Sequence, residues 1–246
     1  EIRILLLPIK GIVFDKDGTL LDFNATWVPV NRVIASLIAD GDRDIIARML
    51  SESGQDDAAG TVRSGSLLAA GNNHQIAEAW QKIAPHHGIE TITALINDVG
   101  KSAAAFTAKP VPDLQNTIEV LANRGFKIGL ATSDSYDSAM ATLSPFNILD
   151  YFDFVCGFDS GHGVKPGPGM VLGFCEHTGC DASEVVVVGD NSHDMEMAMA
   201  AKAALRVGVL TGTSSEQQLA PLADVIISSI SGLSSIIDQF NSEEKA

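Results

Sequence analysis

Four short stretches of the chain carry residues whose types and spacing can do chemistry. The first is Asp15-Lys16-Asp17-Gly18-Thr19-Leu20, directly after the apolar run Gly-Ile-Val-Phe. Two carboxylates one residue apart at the end of a strand can both turn toward one pocket if the chain bends, and Gly18 permits the bend. One of them can then attack phosphorus while the other handles protons. The plainer reading is an Asp- and Gly-containing turn. The second stretch is Gly189-Asp190-Asn191-Ser192-His193-Asp194, after Glu-Val-Val-Val-Val. Asp190 and Asp194 supply hard oxygen donors that suit Mg2+. An acidic residue there can equally cap the following helix, and Asp194 can do both. His193 is assigned no metal, because Mg2+ prefers oxygen. The third is Ala131-Thr132-Ser133-Asp134, after Lys-Ile-Gly-Leu. A hydroxyl and backbone N–H groups at a helix start form a phosphate cradle, or a simple N-cap. The fourth is Lys165, ahead of Pro166 in the loop 157–169. Its ammonium can neutralise charge on a nucleophile and a phosphoryl group; the plainer reading is a solvated loop lysine.

These groups can cooperate only if the fold brings them together. Apolar runs rich in Val and Ile lie at 11–14, 127–130, 152–155, 185–188, 205–209 and 225–227. Continuous runs of this length suit strands covered on both faces, as in a parallel sheet. Helical patterns lie between them at 113–124, 135–143, 170–178 and 194–202; the first follows Pro112 and stops at Gly125. Strand and helix alternate, which predicts an α/β fold with a doubly wound, mostly parallel sheet. Each of the four stretches follows a strand, and in such sheets ligands bind beyond the strands' carboxyl ends. The segment 22–107 differs. It has no clear strand run, carries helical patterns at 27–39, 44–50 and 75–83, and breaks at Gly, Asn and Ser clusters at 51–54 and 71–73. It is expected to be an inserted helical domain, with residues 1–21 and 108–246 forming the core.

Composition narrows the function. The 246 residues are 46% hydrophobic and 19% charged, ordinary for a globular protein with a sizeable core. The net charge of -15 argues against a broad grip on nucleic acid or an anionic membrane. An anionic substrate would need a local positive field, which a metal ion and one or two lysines can supply. Three cysteines (Cys156, Cys175, Cys180) form an odd set without zinc-ligand spacing, and read as reduced thiols. The first fourteen residues hold an apolar run broken by Pro8 and Lys10, too short to span a bilayer and followed by no small-residue cleavage site. The chain does not begin with Met, which suggests a processed or tagged end. A cytoplasmic protein is expected, as monomer or homodimer.

The four stretches, in this order, resemble the motifs of the haloacid-dehalogenase-like hydrolase superfamily: Asp15 and Asp17, then Thr132, then Lys165, then Asp190 and Asp194. The resemblance spans residues 11 to about 194. It points to the phosphoglycolate-phosphatase and β-phosphoglucomutase branch, whose helical cap is inserted just after the first motif. It implies that Asp15 attacks phosphorus and binds Mg2+. Asp17 would protonate the leaving oxygen, activate water and offer its backbone carbonyl to the metal. Thr132 and Ser133, with Lys165, would hold the phosphoryl oxygens. Asp190 would bind Mg2+ directly, and Asp194 through water. Gly167 departs from the pattern, in which an acidic residue often follows Lys-Pro. In this family the cap selects the leaving group; its polar turn residues here are Arg63, Asn72, Asn73 and His74. Arg63 can pair with a substrate carboxylate or second phosphate, or be a plain surface arginine. Trp27, Trp80 and Phe106 are expected to pack a small helical core, and His86-His87 carries no assigned role. The implied substrate is a small phosphorylated metabolite such as phosphoglycolate or a sugar phosphate. A phosphosugar mutase is the alternative on the same scaffold. A dehalogenase would have no use for Asp17 and Asp190. A transport ATPase would carry Thr at position 17, and a binding protein would not need the full set.

Overall fold

The computed structural model describes residues 7–243, apart from the side chains of residues 103–105 and 243. The rest of the apolar N-terminal run, residues 1–6, lies outside the described residues. The chain forms two compact units: residues up to Leu21 together with those from Pro110 onward, and Asp22–Lys109.

In chain order the first unit opens with β1 (Gly11–Phe14). The second unit then contributes α1 (Phe23–Ile38), α2 (Arg43–Glu52), β2 (Gln55–Asp56), β3 (Thr61–Val62), α3 (Leu67–Ala70), α4 (Asn73–Ile83) and α5 (Ile89–Thr107). The first unit resumes with α6 (Leu114–Asn123), β4 (Lys127–Ala131), α7 (Tyr136–Leu143), β5 (Phe154–Cys156), α8 (Gly169–Thr178), β6 (Val185–Gly189), α9 (Ser192–Ala201), β7 (Leu205–Val209), α10 (Glu216–Leu219), β8 (Val225–Ile227) and α11 (Leu233–Glu243).

Six strands form one parallel sheet in the order β5-β4-β1-β6-β7-β8. Ile12 lies level with Ile128 on one side and Val186 on the other, and all three are fully buried. Burial on both faces explains why these strands read as unbroken apolar runs. Each Val or Ile so buried contributes about 1.5–3 kcal/mol relative to an exposed position. The chain runs outward from β1 through β4 to β5, then returns across β1 to β6 and runs out the other way to β8. The reversal of strand order therefore falls at β1, and a crevice outside the carboxyl ends of β1 and its neighbours is the expected ligand position.

Helix ends follow local chemistry. Gly125 and Gly179 adopt positive φ just past α6 and α8, where the left-handed turn favours glycine. Asn191 caps α9, its side chain accepting from the His193 N–H, and Asp194 returns a bond to the Asn191 N–H.

The second unit is helical apart from the small antiparallel ribbon of β2 and β3, too short to show in sequence. Its core joins Ile34, Ile38, Met49, Leu50, Ile76, Trp80, Ile92 and Ile96. Helix α5 was anticipated only around Phe106, with no bounds: its β-branched residues and Gly100 depress helix propensity. Ile89, Ile92, Ile96 and Val99 nevertheless recur at helical spacing and pack against that core. Phe106 corrects an expectation. It lies on α5 but is 91% exposed, so it packs no helical core. All three cysteines are free. Among the described residues no helix is long and apolar enough to cross a membrane.

Trp80 is 1% exposed, and its indole N–H donates to Ser53 Oγ at 2.9 Å with the Met49 carbonyl at 3.2 Å. Trp80→Phe leaves both acceptors without that donor in a buried site, at a cost of about 1–3 kcal/mol. Trp27 is the other of the chain's two tryptophans, so urea unfolding of the variant can be followed by its fluorescence. A lowered midpoint is expected; an unchanged one contradicts this account.

Candidate active site

The loop after β1 is held by its backbone. The Lys16 carbonyl accepts from the N–H groups of Leu20 at 2.9 Å and Leu21 at 3.1 Å, and the Gly18 N–H donates to the Leu21 carbonyl at 2.7 Å. The turn directs the Asp15 side chain into a buried acidic group. Asp15, Asp190 and Asp194 each offer a carboxylate oxygen, and these atoms all lie within 4.8 Å of one another. Asp15 leaves β1, Asp190 leaves β6, and Asp194 lies in the first turn of α9. The geometry thus gathers groups separated by up to 179 residues of sequence, from 15 to 194.

Lys165 reaches this group from the loop after β5. Its side chain is 4% exposed, and its ammonium lies 2.5 Å from Asp15 Oδ1 and 2.6 Å from Asp194 Oδ1. Gly167 after the Lys-Pro pair therefore does not prevent the lysine from reaching in. Asp194 takes part in the helix cap, its Oδ2 accepting the Asn191 N–H at 3.1 Å, while its Oδ1 meets Lys165. His193 is not in the group.

Asp190 sits in a slot between glycines. A Cβ on Gly18, whose φ is +88°, would stand 2.5 Å from Asp190 Cγ, and one on Gly212 would stand 1.8 Å from Asp190 Oδ2. The Thr213 N–H donates to Asp190 Oδ2 at 2.8 Å, and the Thr211 hydroxyl donates to the Gly18 carbonyl at 2.6 Å. The loop after β7 was not singled out from the sequence. Its signal was a cluster of Gly and hydroxyl residues following a strand, as at the other loops of the site.

Thr132 is 1% exposed at the end of β4. Its Oγ1 accepts the Asp134 N–H at 3.1 Å, leaving the hydroxyl proton to donate elsewhere. The N-cap of α7 is Ser135 and not Thr132, so the plain capping alternative does not account for the threonine. Ser133 is exposed. The Asp17 carboxylate is not one of the converging three: its Oδ2 lies 2.6 Å from Lys16 Nζ, which also lies 3.0 Å from Asp134 Oδ2. Lys16 is fully buried. It was read only as part of the hexapeptide, although strand alternation carried past Ile12 and Phe14 places it on their buried side.

In the second unit Arg63 is exposed and borders a surface groove with Arg48, Gln55, Asp56 and Asp57. Asn72 caps α4, Asn73 donates to Asn97, and His74 lies beside Glu78 one helical turn on. Asp40, His86 and His87 form a second, largely exposed cluster. There the His86 Nε2 lies 2.9 Å from the Ile38 carbonyl at the end of α1, so that ring serves the helix end.

Electrostatics of the main group follow from its burial. Burial pushes the Asp15 carboxyl up to about 7 from an ordinary 3.8; Lys165 opposes this and the Asp194 charge adds to it. Asp190 is likewise raised well above its usual value, by burial and then by the charges of Asp15 and Asp194. Lys165 is raised too, because two carboxylates facing it outweigh its own burial. One ammonium among three carboxylates keeps its proton but cannot neutralise them all. The residues present therefore fit a small, hard divalent cation with oxygen donors, of which Mg2+ is the type.

The sequence profile of haloacid dehalogenase-like hydrolases matches residues 9–202. A phosphoglycolate phosphatase of Aquifex aeolicus is 29% identical over 190 residues, 76% of this chain and 79% of its own length. The pyrophosphatase PpaX of Halalkalibacterium halodurans is 23% identical over 189 residues, 77% of this chain and 78% of its own. Among solved structures, a predicted phosphoglycolate phosphatase from Haemophilus somnus superposes with a TM-score of 0.71 at 20% identity, covering 93% of this chain and 97% of that one. That likeness speaks to the fold.

Two outcomes are expected. Asp15 is raised in the folded state, so its contribution to stability is present below 3.8 and is lost as pH rises through about 7. A cation binds the ionised form and removes that loss. The rise in Tm on adding Mg2+ should therefore be small at pH 5 and grow through pH 7. Apparent affinity should weaken about tenfold per pH unit below 7 for each proton displaced. A rise independent of pH contradicts the assignment. Gly212→Ala, by crowding Asp190, should abolish the Mg2+-dependent rise at pH 8 while leaving the metal-free far-UV circular dichroism unchanged. A retained rise means that Asp190 is not a ligand.

Proposed function

The chain belongs to the haloacid dehalogenase-like hydrolase family, and from that premise we propose that it is a Mg2+-dependent phosphatase of small phosphorylated metabolites, acting through an aspartyl phosphate on Asp15. The observation that carries this reading is the convergence of Asp15, Asp190 and Asp194 within 4.8 Å, with Lys165 bridging two of them. Names of relatives that include phosphoglycolate phosphatase favour a phosphomonoester with a small carboxylated or sugar leaving group. Three free thiols favour a reducing compartment such as the cytoplasm.

In this reading an Asp15 carboxylate oxygen attacks phosphorus in line, and the bond from phosphorus to the leaving oxygen breaks. Asp17 gives a proton to that oxygen, so the alcohol departs neutral. Asp17 then takes a proton from water as the water oxygen attacks phosphorus, which frees inorganic phosphate and restores Asp15. Thr132 donates its hydroxyl proton, and Ser133 a backbone N–H, to phosphoryl oxygens. Lys165 neutralises charge on Asp15 and on the arriving group. Mg2+, held by Asp15, Asp190, the Asp17 carbonyl and, through water, Asp194, would supply further charge neutralisation at the phosphoryl oxygens.

Hydrolysis of p-nitrophenyl phosphate and 2-phosphoglycolate should require Mg2+ and vanish in EDTA. Asp15→Asn should lower turnover by at least about a thousandfold, as loss of a covalent nucleophile does. Full activity in EDTA or in that variant would sink the mechanism.

A further inference from the structure

Lys16 has no place in the scheme above, yet its surroundings are specific. The side chain is fully buried, and burying an ammonium is unfavourable unless carboxylates face it. Two do, from different strand ends: Asp17 Oδ2 at 2.6 Å in the loop after β1, and Asp134 Oδ2 at 3.0 Å in the loop after β4. The backbone of Lys16 is fixed as well, since its carbonyl receives the Leu20 and Leu21 N–H groups. On the far side of Asp17, Gly18 is held by bonds from its own N–H to Leu21 and from Thr211 to its carbonyl. Asp17 thus lies between two anchored residues, with its carboxylate drawn to Lys16 and outside the Asp15, Asp190, Asp194 trio.

We propose that Lys16 is a positioning residue: by bridging Asp17 and Asp134 it holds the Asp17 carboxylate where it exchanges a proton with the leaving oxygen, and prevents that carboxylate from joining the cation-binding trio. The assignment rests on the phosphatase reading of Asp17. Lys16 touches no reacting atom in this scheme; it acts through the orientation of its neighbour. The hydrophobic substitutions that a buried strand-end position would ordinarily accept should therefore fold and yet be catalytically defective.

The test compares kcat/KM for two esters in one preparation. p-Nitrophenyl phosphate has a leaving group that departs with little need for a proton, whereas 2-phosphoglycolate expels an alkoxide that needs one. Correct general acid catalysis contributes about 10²–10⁴-fold. K16M should therefore lower kcat/KM about a hundredfold for 2-phosphoglycolate and less than about tenfold for p-nitrophenyl phosphate. K16R, which retains the bridge, should keep the wild-type ratio within about threefold. If K16M does not fold, K16M/D134N removes one carboxylate that Lys16 had balanced, and the same selective loss is expected. Equal losses on both esters in whichever variant folds, or none, would overturn the proposal. A wild-type protein that hydrolyses neither ester would instead overturn the phosphatase reading.

Discussion

Bringing Asp15, Asp190 and Asp194 together in a buried space is unfavourable, because each ionised carboxylate loses hydration worth several kcal/mol and each repels the others. Lys165 offsets part of this by lying within 2.6 Å of both Asp15 and Asp194. Most of the site's construction is devoted to holding that arrangement. The loop after β5 carries the lysine inward, the α9 cap fixes Asp194 by its second oxygen, and the Thr213 N–H fixes Asp190. A nucleophilic carboxylate is useful only if it is poorly hydrated and cannot collapse onto a neighbour. On the proposed reading, the same features that make the cluster costly would give Asp15 those properties.

The sheet makes such a concentration possible without covalent links. Parallel strands bring all their carboxyl ends to one edge, so loops distant in sequence meet there. Strand order reverses at β1, and β4 and β6 leave on either side of it. Asp15 from β1, Thr132 from β4 and Asp190 from β6 are thus neighbours by topology. Close approach then depends on residues without side chains. Gly18 and Gly212 leave room for the Asp190 carboxylate, since a Cβ at either would overlap it.

Much of this was legible in the sequence, for identifiable reasons. The six strands were readable because burial on both faces demands continuous apolar runs, and each lies within two residues of its expected place. Phe152 was expected in β5 but instead closes the turn Leu149–Tyr151, its N–H donating to Leu149. Asp15 and Asp190 were readable because a charged residue directly after an apolar strand has few structural uses, whereas Lys165, nine residues past β5, stood out only by its place ahead of Pro166 and in the order of the four stretches. Lys16 was not, since a lysine in a polar hexapeptide looks solvated until its two partners are seen, and Asp134 lies 118 residues away from it. Thr211 and Thr213 act through a hydroxyl and a backbone N–H, which no spacing rule marks. The extent of helix α5 was hidden by β-branched residues whose low propensity is overridden by burial of Ile92 and Ile96.

The two lysines divide the acidic groups into separate tasks. Lys165 serves Asp15 and Asp194, with Asp190 beside them; if all are ionised, three negative charges and one positive leave a balance of -2. Lys16 serves Asp17 and Asp134: with Asp17 carrying the proton that the proposed scheme gives to the leaving oxygen, one negative and one positive balance, and with Asp17 ionised the set stands at -1. A divalent cation would bring the first set to zero and leave the second unaffected. On the proposed reading, a phosphoryl dianion could then approach a site of no net charge even though the whole chain carries -15. Under the proposed mechanism, without Lys16 the Asp17 carboxylate would be a fourth one competing for the cation, and the group assigned to proton transfer would be consumed as a ligand. Separate counter-charges would thus let Asp15 and Asp17, with one residue between them, carry the different roles proposed for them.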